Sequence, residues 1–373
     1  MAVKKYQIGV IGYGLSAKIF QIPYILAAQD FELRAIVQRS GDEASKEHPG
    51  VKIYRSADEL LRDTSIDVII VSTPPLSHFS LVSSALNADK HVVVEKPFCP
   101  LSRECDELIA LAQAKGKLLT VFQNRRWDAD FVTLQKILAD GQLGRVVEFE
   151  SHFDRYDPEV TNPSAGGAGV IYDLGTHLID QILFCFGLPS KVTGFLGTQR
   201  ATNVDGPHDA CTVLLHYDSG LLATVKASAV SSALEQLRFW VRGDKGGFKK
   251  CHLDPQEHQL VGGMRTDNPT FGLEDAEKAG KLQALSLCST QRLTLPEGVI
   301  TLAKNGTLHD LTYPNLPPPT YGAFYEVLSG ALAGQCDVPV PAKDARNVIR
   351  IIELAEESSR KGSTILLKPE EFV

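Results

Sequence analysis

"IGVIGYGLSAKIF", residues 8–20, decides the fold. An apolar run closes on Ile11. Gly12, Gly14 and Ala17 follow in G-x-G-x-x-A spacing, and an amphipathic stretch then begins. Glycines in that pattern give a tight turn and let backbone N–H groups approach a pyrophosphate at a helix N-terminus. A glycine match alone is weak evidence, but strand, turn and helix in this order mark the first unit of a doubly wound nucleotide-binding half. Tyr13 and Leu15, the variable residues of the turn, join Gly12 and Gly14 as expected cofactor contacts.

Outward from the turn, short β-branched runs alternate with helical segments as far as residue 123: "YQIGVI", "LRAIVQ", "VKIYR", "DVIIVST", "HVVVEK" and "LLTVFQ". Continuously apolar strands joined by crossover helices make a parallel sheet covered on both faces. Ser56 and Glu59 stand at capping-box spacing. After residue 124 come a helix, "DADFVTLQKILADG", and long alternating strands such as "VVEFESHF", "ACTVLLHY", "LLATVKAS" and "LRFWVRG". Breaks at Asp218-Ser219-Gly220, Asp244-Lys245-Gly246 and Asn305-Gly306 read as hairpins. The expected architecture is an α/β doubly wound parallel-sheet (Rossmann) domain over residues 1–124, then an α+β domain over 125–373 with a large open, mainly antiparallel sheet. "YPNLPPPT" (313–320) reads as a rigid connector, and a closing helix ends at Gly362.

The 373 residues carry a formal charge of -7, with 43% hydrophobic and 22% charged residues. That balance argues against a nucleic-acid or anionic-membrane partner and leaves small molecules. The seven cysteines (99, 105, 185, 211, 251, 288 and 336) include no C-x-x-C and no metal spacing. They read as free thiols, with no metal expected. Without an apolar leader pattern at the N-terminus, the expected location is cytoplasmic.

Where NAD sites place a carboxylate at the end of the second strand, this chain has Gln38, Arg39 and Ser40. An arginine fork and a hydroxyl suit a 2′-phosphate, so Arg39 and Ser40 point to NADP, with NAD the alternative. Thr73 and Pro74 follow the fourth strand beside the expected cofactor, and His78, which opens the next helix, is a further expected cofactor contact. Glu95 and Lys96 close the fifth strand and Asn124 the sixth, where open α/β sheets gather ligands. In "YDLGTHLID" (172–180), Asp173 and His177 stand four apart among apolar residues. On a shared helix face the acid could hold the imidazole's tautomer or bind a hydroxyl. Trp127, Arg155 and Tyr156 are candidate substrate contacts, and "SAGGAGV" (164–170) reads as a loop over the site.

Together the G-x-G-x-x-A turn, "EKP" at 95–97, "FQNRRWDADF" at 122–131 and "YDLGTHLIDQ" at 172–181 resemble the glucose-fructose oxidoreductase, inositol 2-dehydrogenase and MocA family, over essentially the whole chain. "NRRWD", "ESHFDRYDPEV" and "LDPQE" are most similar to its subgroup with NADP-linked scyllo-inositol dehydrogenases. The resemblance implies a dinucleotide domain, a second domain whose sheet makes a homodimer or homotetramer, and an active site drawing on both. It puts the family's catalytic lysine on Lys96, its D-x-x-x-H pair on Asp173 and His177, and a cis peptide before Pro97. The implied activity is hydride transfer between NADP and a secondary alcohol or carbonyl of a cyclic polyol or sugar. A non-catalytic nucleotide or sugar sensor is the alternative from another class; a dihydrodiol dehydrogenase or C=C reductase is the alternative among enzymes.

Overall fold

The structure, a computed structural model, describes residues 5–157, 169–200, 207–274 and 297–372. The chain clusters into two compact units. The first comprises residues 1–127, 257–271 and 319–350; the second comprises 128–256, 272–318 and 351–373. Two segments that follow residue 125 in sequence thus pack with the first unit.

The first unit holds six strands: β1 (Tyr6–Ile11), β2 (Phe31–Val37), β3 (Lys52–Tyr54), β4 (Val68–Val71), β5 (His91–Glu95) and β6 (Leu119–Phe122). They are all parallel, in the order β3-β2-β1-β4-β5-β6. That order reverses between β1 and β4, which puts the glycine turn at the switch point where doubly wound sheets bind nucleotides. Every residue of β4, "VIIV", is buried, as expected of a central strand covered on both faces. Ser56 caps the helix Ala57–Leu61 by accepting from Glu59 N, while the Glu59 carboxylate reaches back to Arg55 N at 3.0 Å. The helix Gly322–Leu332, late in the chain, completes this core: Phe324 meets Phe122 edge-on at 4.8 Å, and Trp127 packs on Phe324 at 5.7 Å.

The second unit is built on nine strands: β7 (Val146–Asp154), β8 (Lys191–Gly197), β9 (Ala210–His216), β10 (Leu222–Ser228), β11 (Leu237–Gly243), β12 (Gly246–Cys251), β13 (Gly298–Lys304), β14 (Thr307–Tyr313) and β15 (Ile365–Leu366). Their order is β14-β13-β12-β11-β7-β10-β9-β8-β15, antiparallel throughout except for the β7–β10 pair. The three expected hairpins are present. Asn305 and Gly306 both take positive φ, at 52° and 76°, the geometry of a tight two-residue hairpin turn. Phe149, Ser151 and Phe153 alternate on the buried face of β7, where Phe149 meets Phe186 of the helix Thr176–Phe186 at 5.2 Å. Among the described residues no helix is long and apolar enough to cross a membrane.

Candidate active site

Gly12 leaves β1 with φ +103°, and a Cβ there would stand 2.1 Å from the Ser72 carbonyl oxygen, so only glycine fits. A Cβ on Gly14 would meet nothing within 4 Å, and Leu15 is 67% exposed. The turn is therefore tight underneath and open above. Ser72 Oγ lies buried beside it with no hydrogen-bond partner among the described residues. Open main chain at the end of a parallel strand fits the pyrophosphate of a dinucleotide. Tyr13 runs sideways: its hydroxyl donates to Glu47 at 2.6 Å, and burial together with that carboxylate pushes the phenol's pKa up.

At the end of β2, Gln38 is buried and turned toward the following helix. Its amide oxygen accepts from Ala44 N at 3.0 Å, and its amide nitrogen donates to the Glu43 carboxylate. The Glu43 main chain and that amide hold the carboxylate below its usual range. Arg39 and Ser40 are both exposed, with side chains turned to solvent.

The ends of β4 and β5 are braced to each other. His78 is fully buried: Nδ1 lies 2.9 Å from the Pro97 carbonyl and Nε2 2.8 Å from that of Thr73. The ring thus staples together the loops expected to touch the cofactor, with main-chain acceptors at both nitrogens. Pro74 is exposed. Glu95 is buried, and its carboxylate is gripped by Ser16, Gln21 and the Lys96 N–H. Gln21 in turn accepts from the Tyr325 hydroxyl. The Lys96–Pro97 peptide is cis, and Lys96 is half-buried. Asn124 is buried at the start of the short helix Asn124–Trp127, with Arg125 paired to Glu257 and Arg126 to Asp344 at 3.2 Å. Trp127 belongs to the aromatic core of this unit.

In the second unit Asp173 stands in a π-helical turn, Ile171–Gly175, which runs into the α-helix Thr176–Phe186 carrying His177. The regular α-helical face expected of "YDLGTHLID" is therefore widened by i→i+5 winding, which alters how the two side chains stack. His177 is buried and stands 6.5 Å from the Phe153 ring, edge to face. The Arg155 guanidinium lies over the same Phe153 ring at 5.0 Å. Tyr156, 65% exposed, pairs as a bridge with Val230. All but Gly169 and Val170 of the "SAGGAGV" loop lies outside the described residues.

An oxidoreductase family with an NAD-binding Rossmann fold matches residues 6–123, and the GFO/IDH/MocA C-terminal domain matches residues 131–249. This chain belongs to the GFO/IDH/MocA oxidoreductase family. Oxidoreductase C115.03 of Schizosaccharomyces pombe is 36% identical over 374 residues, covering 96% of this chain and 98% of that protein. The Bacillus subtilis scyllo-inositol 2-dehydrogenase (NADP(+)) IolW is 31% identical over 372 residues, covering 98% and 97%. The solved structure of the oxidoreductase yvaA from Bacillus subtilis matches with a TM-score of 0.88 at 30% identity, covering 98% of this chain and 99% of that one.

Sequence reasoning missed the residue that holds the helix carrying His177. Arg238, 1% exposed, donates from Nε to Asp130 at 3.0 Å, from Nη2 to Gln181 at 2.7 Å and from Nη1 to Ser151 at 2.9 Å. Gln181 lies one turn beyond His177 on the same helix. Strict alternation would send Arg238 away from buried Phe239, but the register shifts between Leu237 and Phe239, so both point inward. No local pattern announces that bulge.

Proposed function

We propose that this family member is an NADP-linked dehydrogenase or reductase acting on a secondary alcohol or carbonyl of a cyclic polyol or sugar. Lys96, Asp173 and His177 form its catalytic set. The observation that carries the reading is the end of β2: no carboxylate at positions 38–40, with Arg39 and Ser40 exposed. The name of the relative IolW agrees with both cofactor and substrate class.

In this reading the main-chain N–H groups of residues 12–15 bind the pyrophosphate, and Arg39 and Ser40 bind the 2′-phosphate. Thr73, Pro74, Lys96 and Asn124 line the nicotinamide end, with His78 and Glu95 holding those residues in place. The bound cofactor supplies hydride acceptance or donation at its ring. A ring nitrogen of His177 takes the hydroxyl proton in the oxidative direction, a task that suits an imidazole near neutral pH. Lys96 Nζ donates a hydrogen bond to the reacting oxygen and stabilises charge developing there. Asp173 accepts from the imidazole or from a neighbouring substrate hydroxyl, and Arg155 contributes a hydroxyl contact.

Glu43 favours NAD as a second carrier, because its carboxylate stands close enough to Gly41 to touch a Cβ placed there. An absorbance screen at 340 nm, pairing polyols and aldoses with NADP and NAD, tests the function. Reduction of NADP by at least one cyclic polyol or sugar is expected. Tight nucleotide binding with no turnover across the panel would favour a sensor.

A further inference from the structure

We propose that Arg55, an exposed residue just past β3, is a positioning residue that sets the 2′-phosphate turn and acts through Arg39. The inference rests on the NADP reading above. Arg55 Nη1 donates to the Gln38 carbonyl at 3.0 Å and to the Gly41 carbonyl at 2.8 Å. The two N–H groups of one guanidinium nitrogen thus close residues 38–41 into a loop, with Arg39 and Ser40 at its crest. The other supports are independent. Gln38 N donates to the Tyr54 carbonyl at 3.0 Å, the Gln38 side chain anchors to Glu43 and Ala44, and Gly41 turns with φ +80°. Of these, the Arg55 clamp is the contact that spans the crest from both sides.

A guanidinium serves here because its donors are fixed in a plane; an ammonium has the charge without that geometry. Without the clamp, the crest keeps its anchor at Gln38 but loses the one at Gly41, and Arg39 samples more orientations before it can grip a phosphate. The binding cost then falls on ligands carrying a 2′-phosphate and spares those without one.

The test is the dissociation constants of 2′,5′-ADP and 5′-AMP, titrated into the full chain without substrate. The wild type should bind 2′,5′-ADP more tightly. Equal binding would remove the NADP reading and this inference with it. Arg55→Ala should weaken 2′,5′-ADP by roughly tenfold and 5′-AMP by less than about twofold. Unchanged discrimination, or equal weakening of both ligands, would overturn the inference while the NADP reading stood. The Arg39→Ala/Arg55→Ala double variant should bind 2′,5′-ADP no more weakly than Arg39→Ala alone. Fully additive losses would show Arg55 gripping the phosphate itself and would overturn the positioning role. Arg55→Lys should remain at least about threefold weakened; complete recovery would show that charge alone matters and would also overturn it.

Discussion

At the ends of β1, β2 and β4 the groups assigned to the cofactor sit in main-chain loops held at their bases. Gly12 rests against the Ser72 main chain, the 38–41 turn is tied to residues 43, 44, 54 and 55, and His78 reaches the Thr73 and Pro97 carbonyls. In the second unit the helix carrying His177 is secured by a buried side chain. Arg238 lies 57 positions from Gln181 and 108 from Asp130 in sequence, and meets both inside the core. The two regions solve one problem differently. The first fixes main-chain loops with exposed side chains at their crests, while the second fixes a helix with a buried charge network. Damage should therefore be graded in the first region, touching one ligand group at a time, and severe in the second.

The largest expected effect is loss of chemistry without loss of the nucleotide. His177→Ala and Lys96→Ala should each lower kcat by ~100-fold or more, with the NADPH dissociation constant within about threefold of wild type. Near-normal turnover in both variants would break the assignment of chemistry to these residues. Arg238→Met should come next. Removing one partner of a buried pair strands Asp130, whose Oδ1 already has no hydrogen-bond partner among the described residues, and should destabilise the chain by roughly 3 kcal/mol or more in thermal or denaturant unfolding. Adding Asp130→Leu should recover part of that loss; a stability change under ~1 kcal/mol in Arg238→Met would show the network to be dispensable.

In the first region, Arg39→Asp should invert the cofactor preference, shifting the NADP/NAD ratio of kcat/KM by roughly 30-fold toward NAD while thermal stability holds. An unmoved ratio would separate Arg39 from the 2′-phosphate. Smallest is Glu43→Gln, which removes a negative charge near the turn and should tighten NADPH by about threefold with little change for NADH.

The same difference explains what could be read from the amino acids. The six parallel strands, the glycine turn, the hairpins at Asp218, Asp244 and Asn305 and the cap at Ser56 are recorded in short patterns whose chemistry is local, and the structure has them all. Asp173 and His177 were visible as a pair, but the π-helical turn between them was not, because i→i+5 winding leaves no spacing signature. His78 could be seen at a helix start, yet its burial against the carbonyls of Thr73 and Pro97 depends on loops that meet only in the fold. The bulge that turns Arg238 inward and the two carbonyl partners of Arg55 leave no signature in the amino-acid pattern, because both depend on segments that meet only in the fold.

The proposed reaction is hydride transfer between a polyol or sugar carbon and NADP. The direct measurement is incubation of the chain with ring-deuterated scyllo-inositol and NADP, followed by mass spectrometry of the cofactor. Reduced cofactor carrying one deuterium per molecule, formed in step with ketone, is expected. Cofactor that stays oxidised, or reduced cofactor free of deuterium, would contradict it.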